Sequence, residues 1–271
     1  MEVLLEIHGY FEDQIEIAKR VDLVYDFALP PLVLDAIYTG DAAALSEWIR
    51  IRPRNCITVL DTHDGIGVID VGAHPADPSR KGLLPPARID NLVQEIARRS
   101  GGESSLATGA AASNLDLYQV NCTYLDALGN NIDSYLLARL IQVLLPGVPQ
   151  VYYVGLLGGQ NDLALLQETG VGRDINRHYY TPNEILAALD TPLVAQMLNL
   201  LRWRAEHPAF NGEFTQLAND APHQLSLQWV NADADASIIG TIDLSTRSFS
   251  IIDRIANVET IRTSFMSEAR P

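Results

Sequence analysis

Apolar and polar positions along this chain follow two rhythms that change near residue 210. Before it, short and nearly continuous apolar runs alternate with longer amphipathic ones. "EVLLEIH" (2–8) predicts a strand buried on both faces, and "GYFEDQIEIAKRV" (9–21) predicts the helix after it. Further strands are expected over "DLVYDFALP" (22–30), "CITVLDTHD" (56–64) and "PQVYYVGL" (149–156). Between them lie the helical stretches 31–50, interrupted at Gly40, and "DSYLLARLIQVLLPG" (133–147). One helix over 183–207 closes the series. Unalternating strands separated by helices signify a parallel sheet covered on both faces.

The rhythm breaks between the third and fourth strands. Residues 65–130 hold Gly- and Pro-containing loops and one clear helix, Asn91–Arg99. That is too long for an ordinary connection and predicts an inserted subdomain. After Phe210, "HQLSLQWVN", "ASIIGTIDL" and "SFSIIDR" alternate at period two between Asp-, Asn- and Ser-containing turns. They predict a small antiparallel β domain over 210–271. The α/β part is thus 1–209, with 65–130 inserted.

Composition narrows the function. With 34 acidic against 19 basic residues the formal charge is −15, which argues against nucleic acid or an anionic membrane as partner, because phosphate neutralisation needs clustered Lys and Arg. The dense basic pair Arg98-Arg99 ends a predicted helix, where cations suit the helix dipole. Cys56 and Cys122 read as reduced side chains rather than a bridge or metal site. No apolar run reaches the roughly 20 residues of a membrane helix, and no signal peptide precedes the first strand, so a cytoplasmic protein is expected.

The candidate chemistry sits where βα units put it, at the C-terminal ends of strands. Glu6 and His8 end the first strand, Asp26 lies in the second, and Asp61, His63 and Asp64 end the third. An acid at an apolar strand end is costly unless it is paired or used. Glu6 therefore either caps a helix or pairs with an Arg, or does chemistry. Two chemistries fit: a carboxylate pair dividing acid/base and charge-stabilising roles, or a divalent metal held by Glu, His and Asp. Spacing alone does not separate them. "GVGRDINRHYY" (170–180) adds Arg173, Asn176, Arg177 and His178, groups suited to oxyanions and sugar hydroxyls. Simple pairing with loop acids is the expectation for Arg177 and His178, and packing for Tyr179-Tyr180.

"LDTHDGIGVIDV" (60–71) resembles the fourth signature segment of the α-amylase superfamily, glycoside hydrolase family 13, and "LLEIHGY" resembles its third. With "VDLVYDFALPPLVL", "SNLDLYQVNCTY", "PGVPQVYYVGLLGG" and "GRDINRHYY", the resemblance narrows to the family's sucrose phosphorylases and covers essentially the whole chain. It implies the C-terminal half of a (β/α)8 TIM barrel, strands five to eight, followed by the antiparallel domain. The implied reaction converts sucrose and phosphate to α-D-glucose 1-phosphate and fructose by double displacement, without cofactor or metal. Relatives using sucrose 6-phosphate, glucosylglycerate or glucosylglycerol stay open as alternatives, as does a non-catalytic sugar-binding fragment. Residue by residue, the resemblance makes Glu6 the general acid/base, with a raised pKa, and Asp64 the transition-state stabiliser. His63 and Arg173 would contact glucose, and His8 would border the acceptor subsite. Leu115, Asp116, Tyr118 and Gln119 would form the loop that serves fructose and phosphate in turn. The family's nucleophilic Asp belongs to a signature upstream of Glu6 that this sequence does not contain. The expectation is an incomplete enzyme, inactive alone, with apolar sheet edges at 4–8 and 151–154 that favour self-association.

Overall fold

The computed structural model describes residues 1–108, 119–219 and 221–265. The chain opens with β1 (Leu4–Leu5), α1 (Phe11–Ala18), β2 (Leu23–Asp26), α2 (Leu29–Thr39), α3 (Ala43–Ile51) and β3 (Cys56–Thr58). Next come β4 (Ile66–Gly67), α4 (Pro86–Arg99), α5 (Glu103–Ala107), β5 (Gln119–Val120), α6 (Tyr124–Ala127), α7 (Ile132–Leu144) and β6 (Val148–Pro149). Helices α8 (Tyr153–Leu156), α9 (Leu163–Thr169), α10 (Pro182–Leu189) and α11 (Pro192–Glu206) lead into β7 (Glu213–Gln216), β8 (Gln224–Asn231), β9 (Ala236–Asp243), β10 (Ser248–Ile255) and β11 (Val258–Arg262).

The first sheet has the order β1-β2-β3-β6 and every pairing in it is parallel. Its register sets Leu5 beside Val24, Asp26 beside Thr58, and Thr58 beside Pro149. All four strands therefore discharge their following loops on one side. That is the geometry of a section of parallel barrel, as expected. A second sheet, β11-β10-β9-β8-β7, is antiparallel throughout. Its β8 and β9 alternate buried and half-buried positions, as period-two patterning requires.

Local chemistry accounts for the element ends. Pro30 and Pro31 sit in the first turn of α2, where no backbone donor is lost, and Gly40 closes the helix in the left-handed region at φ 69°. The predicted break at Gly40 is thus real. Asn131 caps α7, accepting from the Ser134 amide, and α7 is buried almost along its whole length. The largest core joins the helices to the antiparallel sheet: Trp48, Leu60, Leu136, Leu140, Trp229 and Ile238 all belong to it, while Val24 and Cys56 of the parallel strands pack in a smaller cluster of their own. The Trp229 indole donates to the Leu144 carbonyl at 2.7 Å, tying the antiparallel sheet to α7.

Three expectations about elements need correction. The strand predicted over 149–156 is only Val148–Pro149, and Tyr153–Leu156 is helical. A short apolar run carries no period that separates strand from helix. The single helix predicted over 183–207 is two, α10 and α11, bent by 76°. Thr191 caps the second and Pro192 opens it, the arrangement that starts a helix and does not continue one. Strands predicted over seven to nine residues are two to four long, because their C-terminal halves leave the sheet as site loops.

Candidate functional site

Glu6 follows β1 directly, is exposed, and makes no ion pair or hydrogen bond among the described residues. The capping and Arg-pairing alternatives for this acid are therefore not what the structure shows. Nor is it enclosed by the described residues.

Asp64 is the opposite case, at 9% exposure. Its Oδ1 lies 2.9 Å from Nη1 of Arg173, 3.3 Å from Nε2 of His63 and 3.6 Å from Nη2 of Arg177. The two arginine contacts are ion pairs, and none of the three is aligned as a hydrogen bond to that buried oxygen. The loop carrying Asp64 is pinned from the far side of the site. Arg177 Nε donates to the His63 carbonyl at 2.9 Å and Asn176 Nδ2 to the Thr62 carbonyl at 3.2 Å. The single turn Gly172–Asn176 thus sets the position of residues 62–64. Arg177 does pair with acids, Asp64 and Asp174, as expected. His178 likewise pairs with Asp162 at 2.6 Å. Tyr180 packs edge-on against His178 and Tyr153, whereas Tyr179 is exposed and stacks on no ring among the described residues.

His8 is stacked on Phe27, centroids 3.9 Å apart and planes 17° from parallel. Its Nδ1 lies 2.9 Å from Oδ2 of Asp70. Burial lowers its pKa, but the Asp70 hydrogen bond and charge, with Asp64 and Glu6 at longer range, outweigh burial and leave it raised above 6.5. Its Nε2 faces Nε2 of Gln119 at 3.4 Å, and Oε1 of Gln119 faces Nη2 of Arg173 at 3.4 Å. Asp64, Arg173, Gln119, His8 and Asp70 thus form one polar chain across the mouths of β1 and β3. Leu115, Asp116 and Tyr118 lie outside the described residues.

Three further buried acids are committed elsewhere. Asp26 pairs with Arg52 at 2.7 Å and accepts from the Trp48 indole at 2.9 Å, and burial raises its pKa against these contacts. Asp61 pairs at 2.5 Å with Arg139, a guanidinium with no exposed surface that also donates to Tyr135 and Gln142. Asp35 pairs with Arg88 at 2.7 Å. Cys56 and Cys122 are unbridged, and burial first of all pushes both thiols up to about 12. Among the described residues, no three His, Cys, Asp or Glu side chains group as metal ligands. Asp70 escaped the sequence reading: it stands 62 residues from His8 and inside an apolar stretch, and only the fold joins them.

No family model matches the chain. The sucrose phosphorylase of Agrobacterium vitis is 66% identical over 229 residues, 84% of this chain and 46% of that protein. The sucrose phosphorylase of Bifidobacterium adolescentis is 52% identical over 88% of this chain and 47% of its own length. This chain matches the C-terminal part of the sucrose phosphorylases. It spans about half the length of the curated relatives it matches. Its fold agrees: the crystal structure of sucrose 6F-phosphate phosphorylase from Thermoanaerobacter thermosaccharolyticum superposes with a TM-score of 0.84 at 37% identity. The superposition covers 97% of this chain and 52% of that one. The architecture is therefore a section of a TIM barrel with an antiparallel sheet after it.

Proposed function

We propose that this chain supplies the acid/base and the charge-stabilising carboxylate of a sucrose phosphorylase reaction, and receives the nucleophile from polypeptide outside this sequence. In the first half-reaction Glu6 gives its proton to the glycosidic oxygen as that bond breaks. Fructose leaves, and a carboxylate bonds to glucose C1. In the second, a phosphate oxygen attacks C1 as the bond from C1 to that carboxylate breaks, Glu6 takes up the phosphate's proton, and the two inversions leave the α configuration unchanged. Asp64, buried and surrounded by Arg173, Arg177 and His63, is suited to accept a sugar hydroxyl and to oppose positive charge at C1.

The observation that carries the reading is the contrast between acids. Asp26, Asp35 and Asp61 are each locked to a buried or half-buried arginine, and Asp70 to His8. Asp64 is also ion-paired, but its partner Arg173 leads through Gln119 to His8 at the mouth of β1, where Glu6 makes no ion pair among the described residues. A retaining mechanism needs a third carboxylate, within roughly 5–5.5 Å of the acid/base. The test mixes the purified chain with a polypeptide covering the N-terminal half of the Agrobacterium vitis relative and measures phosphate-dependent release of glucose 1-phosphate from sucrose. The mixture is expected to turn over and the chain alone is not. Asp64→Asn in the mixture is expected to lose about 10²–10³-fold, the scale of removing one preorganised electrostatic group. Glucose 1-phosphate from the chain alone would overturn the assignment.

A further inference from the structure

We infer that Asp70 is a positioning residue that fixes the plane, the tautomer and the charge of His8 for an anionic second substrate. The inference rests on the reading of the site as a phosphorylase acceptor site, but its geometry stands independently. Asp70 has no exposed surface and lies in the single turn Ile69–Val71. Its Oδ1 accepts from the Gly9 amide at 2.9 Å and from Nε2 of Gln14 at 2.8 Å, while Oδ2 takes Nδ1 of His8 at 2.9 Å. A carboxylate with both oxygens engaged cannot swing, so the imidazole is held in the plane that also stacks it on Phe27.

The cradle is built for this contact. A Cβ on Gly67 would stand 2.5 Å from Oδ2 of Asp70 and 3.3 Å from Nδ1 of His8, so a side chain there would part the two. Gln14 is itself buried, and its amide also donates to the Gly9 carbonyl, closing the ring of contacts around the turn at His8-Gly9.

An Asp acceptor at Nδ1 requires the proton there, which leaves Nε2 as the reactive nitrogen. In the neutral ring Nε2 accepts from the Gln119 amide. When the ring is charged, Nε2–H meets the Gln119 NH2 donor to donor, and that contact loses its attraction. The charged ring then has a donor free for an anion. Among the described residues, the charged and titratable groups facing His8 are Asp70, Asp64 and Glu6, all acids, with Arg173 one residue further away behind Gln119. Without Asp70 the same ring has a free choice of tautomer and loses the hydrogen bond and the charge that do most to raise its pKa. The residue thus fixes which ring nitrogen faces the acceptor side of the site and favours the charged form of the ring there.

The test follows deuterium exchange at the imidazole C2–H of each of the six histidines by mass spectrometry across pH, on the full chain. The wild type is expected to show a His8 midpoint above the ordinary 6.5. In Asp70→Asn the His8 midpoint is expected to fall while the other five hold. Global unfolding would instead move all six, and Gly67→Ala then serves as the second variant, with the same expected fall at His8. A wild-type midpoint at or below 6.5, or a folded Asp70→Asn with His8 unmoved, overturns the inference. Added inorganic phosphate probes the reading underneath. Slower exchange at His8 supports the acceptor site, and no response while the Asp70 dependence persists refutes that site and leaves the positioning role intact.

Discussion

The ion pair between Asp61 and Arg139 offers the sharpest test of how this fold is held together. Arg139 projects from α7 with no exposed surface, and Asp61, 78 residues earlier, follows β3. Asp61→Asn keeps the volume and removes the charge, leaving a buried guanidinium with Tyr135 and Gln142 as neutral partners. Breaking one side of such a pair costs about 3–5 kcal/mol, because the surviving charge stays out of water uncompensated. At roughly 2–4 °C per kcal/mol for a chain of this size, the melting temperature should drop by about 6–20 °C. Scanning calorimetry or tryptophan fluorescence reads this directly, since Trp48 and Trp229 are buried in the same core. The paired replacement Asp61→Leu with Arg139→Met should recover most of the loss, as apolar substitutes for buried ion pairs commonly do. An Asp61→Asn protein melting within about 2 °C of the wild type, less than about 1 kcal/mol, would refute the reasoning.

Two further outcomes follow from the same contacts. The pKa of His8 is raised on folding, so its stabilising contribution is complete below about pH 6.5 and is lost as pH rises through the folded-state value. The stability advantage of the wild type over His8→Gln should therefore be larger at about pH 5.5 than at about pH 8.5, by urea denaturation; the reverse order would be wrong for this pair. The outer strands β1 and β6 have no second neighbour among the described residues, and Leu4 and Val148 are exposed there. Leu4→Lys should shift the chain towards smaller species in sedimentation, and an unchanged distribution would show that this edge does not drive association.

Much of the fold was legible from period and punctuation. Unalternating apolar runs gave the parallel strands, Gly40 the break between α2 and α3, and period-two segments the antiparallel sheet. What escaped was decided by context. "YVGL" is as apolar as a strand, yet it turns helical after β6 because Val148–Pro149 already completes the short ladder with Ile57–Thr58. The bend at Thr191-Pro192 was readable as a cap and an N1 proline, but it was buried in a long apolar pattern that favoured one helix. At the site, Glu6 and Asp64 were visible as acids where apolar strands end. Their environments were not: one is exposed and the other ringed by cations, and the ring comes from Arg173 and Arg177, over a hundred residues downstream. Asp70 had no local sign at all, since its partners Gly9, Gln14 and His8 come from the chain's start.

Gly155, in the short helix α8, illustrates how far the buried pair reaches. A Cβ at that position would run into Oδ2 of Asp61 and crowd Nη2 of Arg139 and the Tyr135 hydroxyl, while its carbonyl already accepts from that hydroxyl at 2.7 Å. It carries no side chain, no charge and no chemistry. In a saturation mutagenesis scan scored on folding, it should nonetheless be among the least permissive positions, falling in the same group as Asp61 and Arg139. A residue with nothing to contribute is then as strictly specified as the two charges it makes room for.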